Sequence, residues 1–234
     1  MTWYAGASTG GTPVIDYRVW YQLGTGSGSY SVLATGITLT SYTATSLTMG
    51  STYTFIVQAR NAYGYGANST ATQILCATVP NSPSPPTSTF SPDSVTIKWT
   101  VPATNGAVVT AYIITIRGSD LATYTADTTN CNGTSASVVS ALNCTIPVSV
   151  LRAAPYNLPY GSSIWSKVTA INIQGASPES NPGNGAIIIT NPDAPTGLTE
   201  NLAGRASSTL GMSWTQAAFN GGATVLDYRV SMST

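Results

Sequence analysis

The chain has 234 residues, of which only 7% are Asp, Glu, Lys or Arg; eight cations balance eight anions, and histidine is absent. That length suits about two domains with real cores, while zero net charge argues against a nucleic-acid footprint or a polybasic membrane surface. The lack of histidine removes the commonest general base and metal ligand, and neither a long apolar run nor a signal-peptide pattern is present. No cofactor, metal, nucleic acid or membrane span is expected.

Met1 to Tyr4 read as the middle of a strand. After them "VIDYRVWY", "TYTFIVQA", "SVTIKW", "TAYIITI" and "GAIIIT" alternate β-branched or aromatic residues with polar ones, between Gly, Pro, Asn and Ser clusters. This is the pattern of half-buried strands, and helical periodicity is nowhere convincing. Many short strands with regular turn signals predict an all-β sandwich or barrel.

Self-similarity then sets the organisation. "MTWYAGASTGGTPVIDYRV", "IKWTVPATNGAVVTAYIITI" and "MSWTQAAFNGGATVLDYRV" align on Trp3, Trp99 and Trp214, with Tyr17, Tyr112 and Tyr228 following at 14, 13 and 14 positions. Downstream, Gly50, Ala59, Asn61, Gly64 and Ser69 each meet a counterpart 111 positions later. Two proline-rich connections, "VPNSPSPP" and "NPDAPTGL", separate the copies.

These motifs together resemble fibronectin type III domains: the leading Trp, "GG-P-V-x-x-Y-R-V", "L-x-x-G-x-x-Y-x-F-x-V-x-A-x-N-x-x-G", and "P-x-x-P" between copies. The resemblance implies tandem seven-stranded sandwiches with sheets A-B-E and C′-C-F-G. Carried over by position, Trp3, Trp99 and Trp214 are strand-B core tryptophans, and Tyr17, Tyr112 and Tyr228 are strand-C core tyrosines. Tyr53 takes the place of the tyrosine corner, where the second copy has Ile164, so its corner hydrogen bond should be missing. The boundaries expected are 1–79 for a domain lacking strand A, 80–191 for a complete domain with a cysteine-bearing insert, and 192–234 for strands A to C of a third. The phrasing "APYNLPYGSSIWSKV" is further similar to long fibronectin type III arrays in surface proteins of ciliates and other protists. Because Trp3 and Trp214 are 211 positions apart and both end domains are cut, the chain is expected to be a window on a longer periodic one.

Cys131 and Cys144 are 13 positions apart in a Thr/Asn/Ser-rich segment and read as a local disulfide clamping a hairpin. Such a link is worth about 3 kcal/mol; the alternative is two free thiols in a cytosolic loop. Cys76 reads as a buried small hydrophobe. Three N-glycosylation sequons start at Asn68, Asn132 and Asn143, and all are expected in exposed connections. Strand alternation turns Tyr17, Val19 and Tyr21 inward, and Asp16, Arg18 and Trp20 outward. In the second copy Ile164, Ser166, Val168 and Ala170 turn inward, leaving Trp165 and Lys167 outside. Trp20 and Trp165 are therefore candidate interdomain or interchain anchors, unless each lies flat over its own sheet.

No grouping of nucleophile, base or paired carboxylates supports catalysis, so the chain reads as a non-enzyme. The leading expectation is an extracellular or cell-surface structural protein, a glycosylated fibre, stalk or coat whose partners are copies of itself and covalently attached glycans. The alternatives are an adhesin or receptor ectodomain that binds a carbohydrate or protein, a spacer of a larger secreted enzyme, and a cytosolic muscle-type array.

Overall fold

The protein's computed structural model describes residues 1–26 and 28–232. It divides into two compact units: Met1–Asn81 with Ala103–Val109 and Asn172–Ala176, and the remainder of the chain.

The first unit contains β1 (Asp16–Leu23), β2 (Ser31–Ile37), β3 (Thr52–Asn61), β4 (Gly64–Tyr65) and β5 (Thr72–Leu75), in the order β2-β1-β3-β4 with β5 also on β3. This is the expected C′-C-F-G sheet. Alternation along β1 buries Tyr17 and Val19; Val19 forms the core with Tyr53 and Phe55, and the half-buried Trp3, Leu47 and Cys76 pack around it. Opposite this sheet, Met1 to Tyr4 form a single bridge, Thr2 to Ser41, in place of the expected strand. Among the described residues they pair on one side only, through Trp3 N–H to Thr40 O and Tyr42 N–H to Met1 O.

The remaining elements are β6 (Thr87–Ser91), β7 (Ser94–Lys98), β8 (Ala111–Arg117), β9 (Tyr124–Ala126), α1 (Ala136–Ala141), β10 (Asn143–Pro147), α2 (Val148–Arg152), β11 (Ser166–Asn172), β12 (Gly175–Ala176), β13 (Thr196–Glu200) and β14 (Met212–Thr215); β12 and the last residue of β11 fall within the first unit and the rest within the second. The orders β10-β7-β6 and β12-β11-β8-β9 are the expected A-B-E and C′-C-F-G sheets. Trp99, Tyr112, Ile114, Ile146, Ile164 and Val168 fill the space between them. β13 pairs with β14, and Trp214 packs on Tyr228 with ring centres 5.3 Å apart. Most residues of this last segment are exposed, and among the described residues its two-stranded sheet has no second sheet facing it.

Further expectations need correction. The disulfide Cys131–Cys144 is present, but it encloses α1 and not a hairpin. A second helix, α2, follows β10 directly and buries Val148 and Leu151, which are three positions apart on one face. Both helices are too short to show a period in sequence. Thirdly, "GAIIIT" forms no continuous strand: it bridges only through Ile187 to Ser163. Its Ala186 N–H bonds to the Ser88 hydroxyl instead, and a side chain at Gly183 would collide with the Pro86 backbone. Fourthly, Asn143 does not lie in an exposed connection; it is the half-buried first residue of β10, and its Nδ2 donates to Ala141 O at 3.0 Å.

The tyrosine corner forms in the first unit, where Thr48 N–H donates to the Tyr53 hydroxyl at 2.8 Å. In the second copy the place of Thr48 is taken by Pro159, which has no N–H, so the donor and the acceptor (Ile164) are lost together. The loss of this bond leaves neither of its two groups behind unpaired, and the turn is held by Gly161 N–H to Ile188 O and Ile164 N–H to Ala186 O. Tyr53→Phe should therefore cost about 1 kcal/mol, the usual net worth of one hydrogen bond, measured by urea denaturation. A loss below the resolution of that measurement would show that the Thr48 amide finds water equally good.

Candidate functional site

The outward face of the β2-β1-β3-β4 sheet is where scarce charge and aromatic area meet. Antiparallel pairing sets Asp16 opposite Arg60 and Arg18 opposite Gln58, and β4 brings Tyr65 opposite Arg60. The Arg18 guanidinium lies 4.5 Å from the Trp20 ring and 3.8 Å from the Tyr65 ring. Gln58 Oε1 accepts from Arg18 Nη2 at 2.9 Å and from Trp20 Nε1 at 2.7 Å, and Gln58 Nε2 donates to Gly66 O at 3.1 Å. Each side chain thus fixes its neighbour, and cation–π contact adds to the hydrogen bonds.

Asp16 was expected to face solvent, but it is only 4% exposed. It sits on the outward side as alternation requires, yet Arg60 covers it with a two-pronged ion pair, Nε to Oδ1 at 2.9 Å and Nη2 to Oδ2. That bond and the charge of Asp16 raise the Arg60 pKa further above its already high ordinary value.

On the second sandwich, Arg117 lies 5.1 Å from the Trp165 ring and Lys167 lies 4.4 Å from the Tyr124 ring. Lys167 Nζ also bonds Glu179 at 2.8 Å, which raises the lysine pKa above its usual value. Trp20 and Trp165 are both half-buried. Each has an arginine guanidinium beside its ring.

Two further carboxylates serve turns. Asp127 is buried and accepts from Thr129 N–H, Asn130 N–H and Asn130 Nδ2. Asp120 accepts from Ala122 and Thr123, and hydrogen bonds from Thr123 lower its pKa below the ordinary carboxylate range. This places "RGSD" at the end of β8, entering a polar turn. Among the described residues, no three of His, Cys, Asp and Glu gather as a metal site, and no helix is long and apolar enough to cross a membrane. Cys76 is a free, half-buried thiol beside the first core.

Tyr156 is 2% exposed, and its burial, with the negative charge of Asp127, pushes its pKa up to about 12. An unfolded tyrosine ionises near 10, so the folded state holds its proton more tightly. This contribution to stability is full below about pH 10 and is lost as pH rises towards 12. Burial also raises the pKa of Tyr112, so ultraviolet titration should show more than one late phenol, and Tyr156→Phe should remove one of them; an unchanged late amplitude in Tyr156→Phe would contradict the assignment.

Asn68 is exposed between β4 and β5, and Asn132 is exposed beside Cys131, with its Oδ1 accepting from the Thr134 hydroxyl at 2.7 Å. The tryptophan and tyrosine landmarks pair edge to face: Trp3 with Tyr17 at 5.4 Å and Trp99 with Tyr112 at 5.3 Å. The Arg18–Gln58–Tyr65 cluster had no signal in a single strand, because its members come from three strands and meet only through pairing register.

A family model described as "Fibronectin type III domain" matches residues 1–74. Over 83 residues the chain is 34% identical to the Kelch domain-containing protein SSO1033 of Saccharolobus solfataricus, a match that covers 35% of this chain and 11% of that protein. Among solved structures, domains A168–A170 of titin align with 20% identity and a TM-score of 0.41, over 74% of this chain and 54% of that one. The FN1–FN3 domains of chicken CNTN1 align with 19% identity and a TM-score of 0.37, over 93% and 70% of the respective chains.

Proposed function

We propose that the chain, whose residues 1–74 match a fibronectin type III model, is a tandem array of such sandwiches and an extracellular structural repeat protein. It forms a glycosylated fibre, stalk or surface coat, and its partners are copies of itself and the glycans it carries. The observation that carries this reading is the recurrence of one packing landmark, the tryptophan–tyrosine pair, at 5.4, 5.3 and 5.3 Å in successive copies. Repetition of a whole sandwich, with charge scarce and its polar side chains engaged in local turns and ladders, suits work done by packing.

The disulfide supports an oxidising compartment. Asn68 and Asn132 have the exposure that an attached sugar requires, and such sugar would supply the hydration that charge usually gives. Asn143 is the weakest of the three acceptors because its side chain is tied to Ala141. Electron microscopy of the native material tests the proposal. Ordered filaments with extra density at Asn68 or Asn132 are expected, whereas monodisperse globular particles holding a bound metabolite would overturn it.

A further inference from the structure

One turn recurs three times in the chain. Gly11, Gly106 and Gly222 each stand six positions before the strand-C tyrosine, at Tyr17, Tyr112 and Tyr228. All three have positive φ, at 92°, 92° and 85°. Their surroundings differ sharply.

Within the first unit, Gly106 sits on the hydrogen bond from Gly50 N–H to Cys76 O. A Cβ there would come within 2.7 Å of both of those atoms. Asn105 O and Ala103 O accept from Thr78 N–H at 3.0 Å and Asn81 N–H at 2.9 Å. Asn172 Nδ2 reaches Thr78 O at 2.8 Å and Thr104 O at 3.2 Å, and a Cβ on Gly175 would lie 3.3 Å from Val79.

Within the second unit the turn at Gly222 repeats this arrangement. A Cβ on Gly222 would strike Gly161 N, which itself donates to Ile188 O. Thr190 N–H donates to Gly221 O at 2.8 Å and Asp193 N–H to Phe219 O at 3.1 Å. Both partners have the same parts: a glycine in the turn before strand F (Gly50 or Gly161) and a Thr-x-Pro exit from the sandwich (Thr78–Pro80 or Thr190–Pro192).

The third copy of the turn is open. A Cβ on Gly11 would meet no atom within 4 Å among the described residues, and the same holds for Gly64, the counterpart of Gly175. Asn61, the counterpart of Asn172, donates through Nδ2 to Thr9 O at 2.8 Å, and this carbonyl is in its own sandwich. A bare glycine surface, a carbonyl at Gly10 and an amide donor therefore lie together without the groups that meet their counterparts elsewhere.

We propose that the face formed by Gly10, Gly11, Asn61 and Gly64 is a docking socket for the end of another fibronectin type III sandwich. The occupant is an end of the Gly161 and Thr190–Pro192 kind, because Gly222, which lies one 211-residue period after Gly11, takes that end. Backbone-to-backbone contact selects it: any side chain at the glycine would hold the two chains apart. The inference concerns one contact and stands whether or not the assembled protein is a filament.

The test compares the 234-residue chain with an extended chain in which residues 80–211 are repeated directly before Met1. The junction Gly211–Met1 then mimics the natural Gly211–Met212. In the extended chain the NMR signals of Gly10, Gly11, the Asn61 side-chain amide and Gly64 should shift. The amide of the added Thr190 should exchange with deuterium at least tenfold more slowly than a free amide, as the native one does. Gly11→Ala should abolish that protection in the extended chain, yet leave the Gly64 and Asn61 signals of the shorter chain in place. Asn61→Asp is the second variant; it keeps the Oδ1 that accepts from Tyr63 and Gly64 N–H but removes the donor, and should weaken protection in part. Free-amide exchange at the added Thr190, or unshifted signals at Gly11 and Gly64, would overturn the proposal.

Discussion

Trp99→Ala should cost about 3–5 kcal/mol, the range for emptying a buried aromatic site, and should unfold or nearly unfold the second sandwich. Trp99 is 2% exposed and packs edge-on against Tyr112, which is itself 3% exposed. Around it Ile97, Ile114 and Ile146 are sealed from solvent, so no neighbour can move in without opening a gap of its own. The matching change Trp3→Ala should cost distinctly less. Trp3 is only half-buried, and the edge beside it pairs on one side. Urea unfolding of both variants, followed by resolved methyl signals of Ile114 and Val19, measures the two sandwiches separately. Equal losses, or a loss under 1 kcal/mol for Trp99→Ala, would contradict the packing account.

Removing the disulfide should lower the stability of the second sandwich by about 3 kcal/mol, the chain-entropy value for a loop of this length. The linked residues are 13 apart, and both cysteines are buried, at 3% and 4% exposure. The link does more than close a loop. It holds the segment whose Gly133 O accepts from Tyr112 N–H at 2.9 Å, and Gly133 lies so close to the Tyr112 carbonyl that no side chain fits. The paired variant Cys131→Ala with Cys144→Ala should therefore shift the unfolding of Ile114 and leave Val19, in the first sandwich, unmoved. Intact mass with and without reductant gives an independent check, since the linked chain gains two hydrogen atoms, two electrons with two protons, when the reductant opens the S–S bond. An unchanged midpoint for Ile114 would mean that α1 and its turns hold the segment unaided.

The resemblance read from the sequence carried far because it rests on short-range rules. Alternation in "DYRVWY" put Tyr17 and Val19 inside, and the same rule put Ile164, Ser166, Val168 and Ala170 at zero exposure in the second copy. The spacing of Trp99 and Tyr112 marked a contact because strands B and C must face each other across one core. Where side chains of separate strands decide the outcome, alternation is insufficient. It turned Asp16 outward, but only the register of β1 with β3 sets Arg60 over it and buries it. It offered Trp20 as an anchor or as a ring lying over its own sheet, and only the pairing of β1 with β3 brings Gln58 to accept from its indole N–H. Helices of six and five residues gave no period to read, and the corrected place of Asn143 follows from them.

The sequence by itself determined the repeat, its length, the sandwich class and the landmark residues, because each of these is written in local spacing and alternation. Only the tertiary structure decided what the recurring glycines are for. A glycine with positive φ suits any tight turn, so Gly11, Gly106 and Gly222 are alike in sequence. Gly106 and Gly222 carry a second requirement, the approach of another backbone to within the space a Cβ would occupy, and that depends on chain segments about 30 to 60 residues away.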